Sequence, residues 1–416
     1  MRQILEHCAV SFRDRRLAVR SLATLVLALL PLLPPARLHS EEPGPVARIS
    51  RRGAYEGGRY RIEVPARWNG GLVMYAHGFG AYEDSPLACY LADQGYAWAG
   101  SSYRSTDYRV EWFIDDTLKL RELFIREIGR PRWTIIHGRS MGGHVAISSL
   151  ELHPGMYQGA LIECGVIDGV RSVDLIYAYR AAAEFFSGAT ILDVPDPLDY
   201  ARRVNELVLP ALGMPGAYTE AGRRFDSVVK CLFGGDLPLR LQGLRLRYVA
   251  NMFVPVPRAE PLGRSASTLG IRYRIDPGLG ITEDELNARI RRIAPAPGAR
   301  SRDVDPVYAE LTGRITVPVL AVHETGDARV PFSVEQSYRR RTIAAGTSHL
   351  LVQRAVRWPS HCGAPEDVRE RALEDLVSWI ERGVMPAGDD VLSADLSALG
   401  LRWTSIRHPE DPVRSR

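Results

Sequence analysis

Ser140 stands in Gly138-Arg139-Ser140-Met141-Gly142, between the apolar run 133–137 and a helix-like run over 144–150. A serine hydroxyl is a weak nucleophile near neutral pH until a base takes its proton and a third group orients that base. The pattern G-x-S-x-G at a strand-to-helix turn exposes such a nucleophile, because it forces the hydroxyl out of a strained turn. Side chains at the two glycines would collide with the strand and the helix. The base is chosen by position among ten histidines. Sites in open parallel sheets lie at the carboxyl ends of strands. His361 follows the last strand, whereas His349 precedes it. His77, His137, His144 and His323 have structural readings as packed or carbonyl-bound rings. An orienting carboxylate is expected after the preceding strand, where Gly326-Asp327 supplies Asp327. An aspartate after a glycine is also a common turn residue. Glu324 and Asp168 stand as alternative acids. Two backbone N–H groups must hold the oxyanion. Met141, next to the nucleophile, and Phe79, in His77-Gly78-Phe79-Gly80, are the candidates.

These residues need a scaffold that brings distant loops to one edge. Short apolar runs at 60–64, 72–76, 96–101, 133–137 and 159–163 read as strands. Helical segments at 85–94, about 115–127 and from 144 lie between them, with Asp115-Asp116 as a helix cap. Such alternation predicts an α/β fold with a doubly wound, mostly parallel sheet. It stops after Cys164. Residues 166–306 read as helices broken by Pro and Gly, a helical cap or lid insertion. Strands resume at 317–322 and 350–356, with helices at 332–345 and 365–382. The core therefore comprises 41–165 and 307–416, its polar tail after Pro386 wrapped on the surface or partly loose.

Together, His77-Gly78-Phe79-Gly80, Gly138-Arg139-Ser140-Met141-Gly142, Gly326-Asp327 and His361-Cys362 resemble the α/β-hydrolase superfamily. The order Ser140, Asp327, His361 is the chain order of that fold. Arg139 departs from the aromatic or histidine residue more usual before the serine, and the insertion is larger than usual. The resemblance implies hydrolysis of a small-molecule carboxylic ester through an acyl-enzyme, with an amide or peptide bond as the alternative. The doubled Gly142-Gly143 also occurs in peptidase members. A triad-less binding protein of the same fold is a third reading. The fold places Cys164 and Cys362 at the sheet's carboxyl edge, so a disulfide between them would clamp the loop carrying His361. A Cys89–Cys231 bridge is a weaker expectation. Tyr177, Tyr179, Phe185, Phe186, Met252 and Phe253 would either line an acyl pocket or glue the cap to the core.

The 416 residues are 45% hydrophobic and 25% charged, with a net charge of +4, which is ordinary globular composition with room for a large core. Lys119 and Lys230 are the only lysines. Arginine spread along the whole chain reflects composition rather than a nucleic-acid patch. No histidine or cysteine spacing suggests a metal, and no cofactor is implied. Arginines before residue 21, an apolar run over 22–33 and a segment ending at Ser40 have the three parts of a secretory signal peptide over 1–40. Its cleavage would leave an exported chain, periplasmic or secreted, without a membrane span. An uncleaved anchor is the alternative. Cys89, Cys164, Cys231 and Cys362 would remain, an even number in an oxidising compartment.

Overall fold

A computed structural model describes residues 48–411. The segment read as a signal peptide lies outside them. Eight strands form one sheet: β1 (Ile49–Tyr55), β2 (Gly58–Val64), β3 (Gly71–Ala76), β4 (Ala97–Ser101), β5 (Trp133–Arg139), β6 (Gly159–Glu163), β7 (Val319–Glu324) and β8 (Leu351–Val356). Their spatial order is β1-β2-β4-β3-β5-β6-β7-β8. All neighbours from β4 to β8 pair in parallel, and β2 runs antiparallel to both β1 and β4. This is the α/β-hydrolase fold.

The central strands β3 to β8 are buried along almost their whole length. That is why they read as continuous apolar runs rather than alternating ones. Helices cover both faces: α1 (Ala88–Asp93), α2 (Val110–Glu127), α3 (Met141–Leu152) and, after the insertion, α7 (Ser333–Ala345) and α8 (Glu366–Arg382). α2 shows the helical logic plainly. Val110, Phe113, Ile114, Thr117, Leu120 and Phe124 recur every three or four residues and bury one stripe.

Three details differ from the sequence reading. α2 begins at Val110, so Asp115-Asp116 lie inside it. Asp116 is fully buried and accepts from the backbone and guanidinium of Arg104 instead of capping the helix. β1 carries Arg51 and Arg52 on an edge hairpin and has no apolar run to announce it. The tail is packed rather than loose. Asp389 bonds Gln353 O through its N–H and Ala355 N–H through its carboxylate, both at 2.7 Å. Val391, Leu399 and Trp403 are buried.

Between β6 and β7 the chain leaves the sheet and forms mostly helices. They include α4 (Arg171–Ser187), α5 (Glu220–Phe233) and α6 (Arg240–Arg247), with a continuous helical run over 197–212 that takes a π turn at 204–208, and shorter pieces at 250–253, 261–265 and 283–289. A two-residue hairpin, Gly213–Met214 with Ala217–Tyr218, is the only strand pairing described there. α6 is registered closely on the sheet's carboxyl edge. A Cβ at Gly243 would fall 1.6 Å from Gly326 O and 2.6 Å from Pro359 O. Asn251 Nδ2 donates to Ala328 O at 2.8 Å. Only glycine permits that approach, and it ties the insertion to the turns that follow β7 and β8.

Candidate active site

The register aligns the carboxyl ends of β3, β5, β6, β7 and β8, so their following loops meet. Ser140 heads α3 with φ 56° and ψ −120°, a left-handed backbone no serine adopts without compensation. The compensation is close packing that only glycines allow. A Cβ at Gly142 would lie 1.8 Å from Ala76 O, and one at Gly138 would lie 2.3 Å from Gly142 O. Ser140 O also accepts from Gly143 and Val166 N–H, at 2.9 and 3.0 Å. The sharp turn is thus held from four sides.

Ser140 Oγ lies 2.8 Å from His361 Nε2, and His361 Nδ1 lies 2.5 Å from Asp327 Oδ2. Asp327 Oδ1 accepts from the N–H groups of Arg329 and Val330, at 2.8 and 3.0 Å. Burial alone would raise the Asp327 carboxyl. The neighbouring His361 and His323 outweigh it and hold the group below the ordinary carboxylate range. The two other candidate acids are engaged elsewhere. Asp168 binds Arg341 at 2.6 Å, and burial pushes its carboxyl up to about 6. Glu324 accepts from Ala364 N–H, and burial together with the Asp327 charge pushes it up to about 7.

The four other buried histidines hold structural places. Burial pushes His77 and His144 down to about 4, so both are neutral. His77 stacks on Tyr103 at 4.3 Å, and His137 faces Glu163 at 3.3 Å. His323 behaves differently. Its Nδ1 faces Glu335 at 3.2 Å and its Nε2 faces Val330 O at 2.8 Å. Burial opposes its charge, but Glu335, Asp327 and Glu324 prevail and push it up to about 9. A buried cation therefore stands behind Asp327, which nothing in the spacing announced.

The 77–80 loop passes directly over Ser140, since a Cβ at Gly78 would sit 3.3 Å from Ser140 Cβ. The N–H groups of Phe79 and Met141 have no protein acceptor among the described residues. Cys164 and Cys362 form a disulfide, which joins the end of β6 to the residue after His361. Both cysteines have positive φ, 46° and 55°. Their sulfurs lie within 4.8 Å of a His361 ring nitrogen, but joined to each other they offer no thiolate. Cys89 is disulfide-bonded and Cys231 is free, so the Cys89–Cys231 expectation fails. Arg139 reaches Cys362 O at 3.3 Å and Glu83 at 2.6 Å, a second tie on the same loop.

A cavity of about 340 Å³ opens onto Ser140, lined by Phe79, Tyr108, Met141, Ile176, Phe253 and Leu262, with Arg247 and Arg329. Of the six insertion residues singled out in the sequence, Phe253 alone lines it. Met252 is buried, and Tyr177 and Tyr179 bond the carbonyls of Val256 and Tyr248. Phe185 and Phe186 pack edge to face on each other. A larger, open depression of about 690 Å³ lies over the β1–β2 hairpin, out of reach of Ser140, Asp327 and His361.

No family model matches the chain, and no curated protein does. Among solved structures, the chain is similar to feruloyl esterase B from Aspergillus oryzae, at 14% identity over 82% of this chain and 81% of that one, with a TM-score of 0.48. It is similar also to an esterase from Aspergillus oryzae, at 13% identity over 82% and 80%, with a TM-score of 0.47. A third is Pyrococcus horikoshii acylaminoacyl peptidase, at 13% identity over 83% of this chain but 44% of that one, with a TM-score of 0.42. At these values the likeness bears on neither substrate nor chemistry, which rest on the geometry around Ser140.

Proposed function

We propose that this protein is a serine hydrolase that cleaves a carboxylic ester through an acyl-enzyme. The observation that carries the reading is the unbroken relay Ser140–His361–Asp327, at 2.8 and 2.5 Å, at the floor of a largely apolar cavity. Ser140 Oγ attacks the substrate carbonyl while its proton passes to His361 Nε2. The imidazolium is stabilised by Asp327, whose buried carboxylate is kept ionised and fixed by two backbone N–H groups. The carbonyl oxygen becomes an oxyanion facing the N–H groups of Phe79 and Met141, each worth roughly 3 kcal/mol of transition-state stabilisation. His361 then protonates the leaving alcohol. Water enters, gives its proton to His361 and attacks the acyl carbonyl, and Ser140 regains its proton as the acid departs.

The helical segment 166–306 acts as the cap that shapes the acyl pocket. The Cys164–Cys362 disulfide supports function in an oxidising compartment outside the cytoplasm.

The test is labelling with a fluorophosphonate probe, together with hydrolysis of short aryl esters and of aminoacyl amides. Labelling and ester turnover in the wild type, both lost in Ser140→Ala, are expected. Equal labelling of the two proteins defeats the reading, and turnover confined to the amides moves it to an amidase.

A further inference from the structure

Two arginines in the Ser140 cavity lack the side-chain partners that some other arginines of the insertion find. In the insertion, Arg240 forks onto Asp226 at 2.9 and 3.1 Å, and Arg258 donates to the carbonyls of Gly263 and Ala294. Arg247, in the last turn of α6, and Arg329, two residues beyond Asp327, have no side-chain hydrogen bond or ion pair among the described residues. Arg247 is half-buried, and its Nε is buried without an acceptor. A guanidinium can satisfy its donors only with an acceptor or with water, and a buried donor left unmade is costly.

The two cations are also held close. Gly243 seats α6 against Gly326, and Arg247 lies one helical turn further along the same face. Asn251 holds Ala328 O, next to Arg329. Burial is the chief cause that lowers the Arg247 pKa, and the charge of Arg329 adds to it. Asp327 is the nearby anion, and its oxygens are taken up by His361 and two backbone N–H groups. The remaining wall is apolar, with Val166, Ile176, Phe253 and Leu262.

We propose that Arg247 and Arg329 form a carboxylate-binding subsite, so that the substrate carries a free carboxylate separated from its scissile bond by an apolar segment. Planar guanidinium groups suit a carboxylate because each can donate two parallel hydrogen bonds. The acid fills the unmet donors and relieves the repulsion between the two cations, while the spacer lies on the apolar wall. The proposal rests on the preceding reading in placing the scissile bond at Ser140, but the subsite itself can be tested without catalysis.

The test is calorimetric titration of Ser140→Ala with 4-phenylbutyrate and with its neutral amide. The acid is expected to bind at least tenfold more tightly than the amide. That ratio falls to within about threefold of unity in Arg247→Gln and in Arg329→Gln, and is partly restored in Arg247→Lys. Arg329 is solvent-exposed, so its variant keeps the test open should Arg247→Gln fold poorly. Equal binding of acid and amide overturns the proposal. So does a preference that survives both glutamine variants, because the carboxylate would then lie against His361 or the Phe79 and Met141 N–H groups. Absent preference with intact fluorophosphonate labelling of the wild type sinks the subsite alone. Preference without labelling sinks the hydrolase reading and leaves the subsite standing.

Discussion

The disulfide and His361 share a loop, and replacing Cys164 and Cys362 together by alanine tests what that sharing does. The bridge closes a loop of sequence separation 198. In the chain-entropy account, such a crosslink stabilises the fold by about 5 kcal/mol through the unfolded state. Both cysteines, however, hold left-handed backbone, at a cost of roughly 1–2 kcal/mol each for a residue with a Cβ. Once uncrosslinked, these residues relax and recover that cost. The net loss in urea unfolding is therefore about 1–3 kcal/mol, well under the entropic figure. The same relaxation moves His361, which is adjacent to Cys362, and a displacement near 1 Å costs on the order of 10²-fold in rate. Turnover of a short aryl ester is thus expected to fall about 10- to 100-fold. The paired change to glycine accepts positive φ without steric cost and recovers part of that loss. Wild-type kcat in the alanine pair refutes the coupling of bridge to base. A stability loss at the full 5 kcal/mol refutes the account of backbone strain.

Other outcomes follow from the same geometry. Glu335→Gln removes the chief anion holding His323 charged. The stability contributed by His323 is fully present below its unfolded pKa near 6.5 and is lost as pH rises through about 9. Urea midpoints between pH 6.5 and 9 should therefore fall less steeply in the variant, by up to roughly 3 kcal/mol across the window, and parallel curves would contradict it. Gly142→Ala drives a Cβ into Ala76 O and should cost about 3 kcal/mol or more, visible as a lower melting temperature and loss of fluorophosphonate labelling. Gly243→Ala pushes α6 off the Asp327 turn. It should lower both the acid-over-amide preference and ester kcat, whereas a change in only one would show that the two are separable. Asp327→Asn should reduce kcat by on the order of 10⁴-fold while circular dichroism stays unchanged.

The sheet was legible because strands buried on both faces are short apolar runs between turns, and the sites of Ser140, Asp327 and His361 follow strand ends. β1 was not legible, because an edge strand with Arg51 and Arg52 facing solvent has no apolar signal. Asp115-Asp116 resembled a cap, since a buried aspartate neutralised by Arg104 from a preceding loop leaves no mark in local sequence. The aromatic residues of the insertion could not be assigned between pocket and core for a related reason. A tyrosine in a core and one in a pocket look alike until the packing is known, and five of the six lie away from the cavity. The pairing of Arg247 with Arg329 depends on Gly243 meeting Gly326, a contact between segments more than eighty positions apart. The Cys164–Cys362 bridge was legible only once a fold had placed the ends of β6 and β8 at the same edge of the sheet, one strand apart.

The seat of α6 on the Gly326 turn has an evolutionary consequence. Insertions in folds of this kind are often treated as exchangeable modules, with a fixed catalytic core below and a variable specificity element above. Here the element carrying Arg247 abuts the turns bearing Asp327 and His361 through backbone contacts with no slack. Grafting a foreign cap onto this core, or this cap onto another, would disturb the alignment of the relay as well as the choice of substrate. If 166–306 sets specificity, exchanging side chains within it is expected to disturb the relay less than replacing it as a unit.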